Sequence, residues 1–417
     1  MFASGLEGCV FGNAECTYDR EECVGTSGAY RVCHGGEGHY SWATSQCPGV
    51  QPVCSLSQSG HVGCEDLATP EACSQISPLL AAGAAKLSSV LDLKRDGSVN
   101  LVFGGDLVAR SNEQGQFDPA RSLGLRTAGR LQQLLPAELN GDGIADLAVT
   151  SDDPRELYAF FGDTDGSYAF AQRYFVTSVP RLAAGTDFDG DGRDELIGTV
   201  DQQGIHVLSG VGDSELSDRL LVTAARYADI GPDVHGAFVA DFDGRAPLDL
   251  AASGSNLDIY LAQPDGSYQR AASIADGLAI GDLDADGRAD VAGRTTVGHD
   301  GTAIMVHFSG SDAAFKQALT LPVPYLPADV FIADFDGDGL NDVAAQLLRT
   351  PQALLQVFLG NGDGSFRAAE LVSLPFDTST RLFLADVEHD GRADLIGQLD
   401  GNVLELSGAC VAAKALP

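Results

Sequence analysis

One nine-residue phrase recurs through most of the chain and limits the folds open to it. A short apolar run leads into Asp-x-Asp-x-Asp-Gly-x-x-Asp, and Leu or Val follows. Clear copies start at Asp187, Asp282, Asp334 and Asp386, and a variant starts at Glu138. Degenerate copies start at Asp92 and Asp241, and successive starts lie 41 to 54 residues apart. A phrase repeating at this period marks stacked supersecondary units, none able to bury its apolar face alone.

Each unit reads as about four strands. An apolar run such as Phe331-Ile332-Ala333 precedes the loop, and a second run such as Asp146-Leu147-Ala148-Val149 follows it. A third run, as at Leu355 to Leu359, leads to a hairpin signal of the form Asp-Gly-Ser-aromatic at 165–168, 265–268 and 363–366. Asp-Gly between apolar runs is a cue for a type I′ turn. Seven such units predict an all-β chain: a seven-bladed β-propeller of four-stranded blades over 77–417, with a small disulfide-rich domain at 1–76. A strand near Pro78 is expected to complete or abut the last blade. The stretch from Asn112 to Arg130 is expected to hold a loop insertion.

The loop chemistry points to calcium. Hard cations take six to eight oxygens at about 2.3–2.6 Å. Positions 1, 3, 5 and 9 supply side-chain oxygens, position 7 a backbone carbonyl, and Gly at position 6 the sharp turn. The ligand sets predicted are Glu138, Asn140, Asp142, Ile144 and Asp146; Asp187, Asp189, Asp191, Arg193 and Glu195; and Asp282, Asp284, Asp286, Arg288 and Asp290. Two more are Asp334, Asp336, Asp338, Leu340 and Asp342, and Asp386, Glu388, Asp390, Arg392 and Asp394. The competing reading is an acidic surface turn without an ion, but converging carboxylates repel one another unless a cation offsets them. Lys94 at position 3 of the first copy and Arg245 at position 5 of the fourth put a side-chain cation there instead. The expectation is therefore about five structural Ca²⁺ ions, in copies two, three, five, six and seven.

These loops also account for much of the charge. The chain has 59 Asp and Glu against 25 Lys and Arg, a net charge of −34. That balance excludes nucleic acid as a partner, because phosphate binding needs clustered Lys and Arg.

The phrase FLGNGDGSF from Phe358 to Phe366, and ADFDGDGLNDV from Ala333, resemble the FG-GAP/VCBS repeat. The resemblance covers roughly residues 80–410. It implies a seven-bladed propeller with calcium in the blade loops, as in integrin alpha subunits, secreted bacterial proteins and some fungal lectins. It does not imply a particular ligand.

Eight cysteines crowd the first 73 residues: Cys9, Cys16, Cys23, Cys33, Cys47, Cys54, Cys64 and Cys73. No CxxC pair occurs, so a disulfide framework is favoured over zinc, with connectivity left open. Cys410 is either free or a tether to this block. No apolar run approaches the ~18 residues of a membrane span. The first nine residues lack a secretory-signal pattern, and the expectation is a mature secreted or cell-surface protein.

Recognition or adhesion is the leading functional expectation, with an extracellular protein or glycan as partner and the oligomeric state open. The only Trp, Trp42, lies beside His39 and Tyr40, a weak candidate sugar patch whose competing reading is a small-domain core. The recurring Tyr168, Tyr268 and Phe366 are expected to fill equivalent packing positions. The alternative is a lyase or hydrolase with a channel-centred site, but no HExxH, Gly-x-Ser-x-Gly or phosphate loop occurs.

Overall fold

The computed structural model describes strands at 21–24, 29–36, 39–46, 52–56 and 62–66, and residues 76–408 apart from 84, 113–114, 152–155, 176–180, 188–190, 200–203, 212–216, 224–235, 254–255, 298–300, 311–314, 316, 350–351 and 370. From residue 76 onward the described strands form seven antiparallel sheets. Blades one to five are simple meanders, blade six adds the short strand Val372–Ser373 against its third strand, and blade seven draws its fourth strand from elsewhere in the chain. Blade two is typical, with strands Leu131–Ala137, Asp146–Ser151, Glu156–Gly162 and Tyr168–Phe175 in that order. Its second strand is buried along its whole length, whereas its outermost strand is largely exposed. Runs of Leu, Val and Ala suit a strand covered on both faces, and Gln, Arg and Tyr suit the rim.

Among the described residues, seven apolar clusters form the packing, one at each junction between neighbouring blades. Leu93 and Val102 of blade one meet Leu134 and Val149 of blade two. The ring closes where Leu101 and Phe103 of blade one meet Val387, Ile396 and Val403 of blade seven. Blade seven takes its outer strand from the start of the repeat region. Ile76–Ala81 pairs antiparallel with Asn402–Leu406, so chain entry and exit are hydrogen-bonded together. The expected closing strand is therefore present. Blade one has an outer strand of only two residues, Arg121–Ser122, within the irregular stretch expected from the sequence.

The 3–4 hairpins differ from expectation in one respect. Gly166 has φ 79, but Asp165 does not share a positive φ. Gly166 N donates to Asp163 O at 2.8 Å, and Asp163 N donates to Ser167 O at 3.0 Å. This is a type I turn closed by a left-handed glycine, not a type I′ turn, because only the glycine escapes the Cβ clash. The hairpin at Gly266 repeats it, whereas the one at Gly364 keeps the Asn361 N to Ser365 O bond at 3.0 Å but has a second left-handed glycine, Gly362 at φ 73. Tyr168, Tyr268 and Phe366 pack against three of the inter-blade clusters, in keeping with the packing role expected of them.

Candidate metal centre

Each acidic loop joins the first strand of a blade to its second. Neighbouring first strands pack against one another, as in blades two and three or five and six, so the loops ring the axis on one face. The ninth loop residue opens the second strand: Asp146, Glu195, Asp249, Asp290, Asp342 and Asp394. All six are buried.

These closing acids act as clasps. In blade six, Asp342 Oδ2 accepts Phe335 N and Oδ1 accepts Gly360 N, both at 2.8 Å. The first bond fixes the loop entrance and the second the end of the third strand. The arrangement repeats at Asp146, Asp249, Asp290 and Asp394. Position 1 folds the loop around itself. Asp334 accepts Gly337 N at 2.6 Å and Gly339 N at 2.7 Å, and Glu138 accepts Gly141 N and Gly143 N. Position 5 turns onto the position-7 amide: Ile144 N donates to Asp142, Arg193 N to Asp191, Arg288 N to Asp286, Leu340 N to Asp338 and Arg392 N to Asp390.

Four groups of three acids bring carboxylate oxygens within 4.8 Å of one another among the described residues. Blade five contributes Asp282, Asp284 and Asp290, and blade six Asp334, Asp336 and Asp342. The position-5 acids Asp286 and Asp338 stand outside these groups. Arg288 instead meets Asp286. Blade four brings together Asp241, Asp243 and Asp249, although its sequence predicts no ion; Arg245 lies 3.5 Å from Asp243 there. Blade seven unites Glu388 and Asp394 with Glu405, a residue absent from the loop phrase, while Asp386 and Asp390 stand apart. In blade two the set includes the amide Asn140, which donates to Asp142 at 2.9 Å. In blade three, Asp187 accepts Asp191 N and Gly192 N at 3.1 Å, and Asp189 lies outside the described residues.

The electrostatics favour a bound cation. Burial, then the neighbouring acids, pushes Asp146 and Asp394 up to about 6 and Asp290 and Asp342 up to about 7, against the lowering effect of the clasping amides. Asp284 and Asp336 are raised for the same reasons. Asp284 also keeps a buried Oδ1 with no hydrogen-bond partner. Glu405, buried and surrounded by acids, is pushed up to about 8. All-oxygen carboxylate sets with an orphaned buried oxygen fit a hard divalent cation.

Position 8 links neighbouring loops, a pattern absent from the sequence reading. Asp194 N donates to Glu138 O at 2.5 Å, Ala289 N to Asp241 O at 2.7 Å and Ala393 N to Asp334 O at 2.7 Å. Asn341 makes the same link through its side chain, donating to Asp282 O at 2.9 Å.

Of the cysteine-rich segment, Cys23, Cys33, Cys54 and Cys64 lie on strands, as do His39, Tyr40 and Trp42. Cys9, Cys16, Cys47, Cys73 and Cys410 lie outside the described residues. No described helix is long and apolar enough to cross a membrane.

No curated protein matches the chain in sequence. Among solved structures, BBS1N in complex with ARL6DN is similar with a TM-score of 0.49 and 10% identity, over 80% of this chain and 94% of that one. Raptor from Chaetomium thermophilum gives 0.48 at 12% identity, over 78% of this chain and 28% of that one. The Dos1 propeller gives 0.47 at 12% identity, over 80% and 96%. A family model for the FG-GAP-like repeat matches residues 334–397, from the first acid of loop six into the second strand of blade seven. The chain is thus a seven-bladed β-propeller containing FG-GAP-like repeats.

Proposed function

We propose that the chain is a calcium-stabilised recognition module that binds a protein or glycan outside the cell. The convergence of carboxylates on a buried closing acid in the blade loops carries this reading. Calcium bound there would neutralise acids that otherwise repel one another beside a buried, clasped carboxylate. The ions belong to loops two, three, five, six and seven, while in loop four the Arg245 guanidinium beside Asp243 takes their place. Their role is structural: each pins the junction of two strands on the axial face.

A rigid disc with a loop-lined face suits binding rather than chemistry. The crowded cysteines of residues 1–73 favour an oxidising, extracellular setting. Calorimetric titration of the chelator-treated protein with CaCl₂ tests the ion count. About five ions are expected, and two or fewer would overturn the reading. A glycan array separates the two ligand classes, since an array without hits leaves a protein ligand.

A further inference from the structure

Blade seven carries an acid where every other blade carries an apolar residue. Two places into the second strand, Ile396 pairs with Glu405 on the third strand. The corresponding third-strand residues in blades one to six are Val108, Ala159, Val207, Ile259, Val306 and Val357. All six are buried. Side chains alternate along a strand, so Glu405 shares a face with Ile396 and with Asp394 beside it.

That face packs toward blade one, where Ile396 and Val403 join the closing cluster. Glu405 is 2% exposed, and its Oε1 is buried without a hydrogen-bond partner. The charged groups acting on it are Asp394, Glu388 and Asp390, all acidic. A carboxylate held in such a place lacks a counter-charge among the described residues. Its oxygen lies within 4.8 Å of oxygens of Glu388 and Asp394. Glu388 is exposed and offers a path from solvent. Ser407 Oγ, at 3.3 Å from Glu388 Oε2, adds a neutral oxygen at the edge of the group.

We propose that blade seven holds its cation deeper than the other blades do, between Glu388, Asp394 and Glu405, with Glu405 as a ligand supplied by the third strand. The ligand class is a hard divalent cation such as Ca²⁺. Glu at position 3, one methylene longer than Asp, reaches inward to this site. The proposal rests on the reading that the blade loops hold cations.

The test compares the full chain with Glu405→Gln and Glu405→Val, the latter placing there the residue of four other blades. Calorimetry with CaCl₂ and melting curves in EDTA and in calcium are measured. Both variants are expected to lose one ion from the stoichiometry, or to weaken one site by more than the ~10–100-fold that loss of an outer partner costs. Glu405→Val is further expected to melt no lower than wild type in EDTA, yet lower than wild type in calcium. A wild type that takes up several ions, with variants matching it in number and affinity, overturns the blade-seven site alone. A wild type that takes up none overturns the loop reading and this site together.

Discussion

Arg95 Nη1 lies 2.6 Å from Asp194 Oδ2, tying the loop of the first blade to that of the third. The same Asp194 oxygen accepts Glu138 N at 2.8 Å, so one buried carboxylate joins three consecutive loops. Arg95 occupies the fourth position of a loop whose third position is Lys94. The degenerate first copy thus trades loop acids for a cation that serves its neighbours. Truncation in Arg95→Ala should cost about 1–2 kcal/mol, because the pair is half exposed on one side only. Asp194→Ala should cost more, about 2–3 kcal/mol, since it also frees Glu138 N. Thermal melts of both variants check the order, and equal, negligible losses would count against the link.

The clasp at Asp342 makes a second prediction. Asp342→Ala removes the acceptor of both Phe335 N and Gly360 N, two donors sealed from water. Leaving buried donors unpaired costs about 1–3 kcal/mol each. A loss of about 2–4 kcal/mol is expected even in EDTA, where no ion contributes. Asp338→Ala removes an exposed acid and a single loop bond to Leu340 N, and should cost under about 1 kcal/mol in EDTA. If the two variants melt together without calcium, the closing acid does not clasp the blade.

Much of this architecture was legible because the loop acids recur at fixed spacing and each loop sits between apolar runs. Asp146, Asp290, Asp342 and Asp394 could be assigned to the ninth position from spacing alone, and the structure finds each opening a second strand. Glu405 could not be found this way. It lies eleven residues beyond Asp394, inside the run Asn402–Leu406, and meets the loop only through strand pairing. The links between loops were hidden for another reason. Asp194, Ala289 and Ala393 donate through backbone N–H groups, which carry no residue signature. Loop four was misleading in its own way. Its lost turn glycine, replaced by Ala246, obscured that Asp241, Asp243 and Asp249 still converge.

Two glycines of loop six separate backbone strain from crowding. Gly337 has φ +78, and a Cβ there would meet Arg392 Cγ and Nε of the next loop at 3.0 Å. Gly339 has φ +84 with nothing within 4 Å. Gly339→Ala should therefore cost only the left-handed penalty, about 1–2 kcal/mol. Gly337→Ala should cost that and more, because the Arg392 stem must move from its seat on the neighbouring loop. Melting of the two variants side by side measures the difference, and a Gly339→Ala that is the worse of the pair would contradict the loop-to-loop packing.

In the absence of calcium the chain should show a pH dependence of definite sign. Burial, reinforced by the adjacent acids, holds Asp146 and Asp394 at about 6 and Asp290 and Asp342 at about 7 in the folded chain. In the unfolded chain the ordinary value of 3.8 applies. Folding therefore favours the protonated form. Its contribution is fully present below about pH 4 and is lost as pH rises through 6 to 7. In EDTA the protein should melt at a higher temperature at pH 5 than at pH 8. Millimolar calcium should reverse much of the loss at pH 8, since the cation takes over the neutralising role of the proton and binds only the folded loops. At pH 5 calcium should stabilise less, because protons compete for the same oxygens. Melting curves at the two pH values, with and without calcium, test all four corners. A calcium-free protein more stable at pH 8 than at pH 5 would mean that the closing acids are not destabilised by burial.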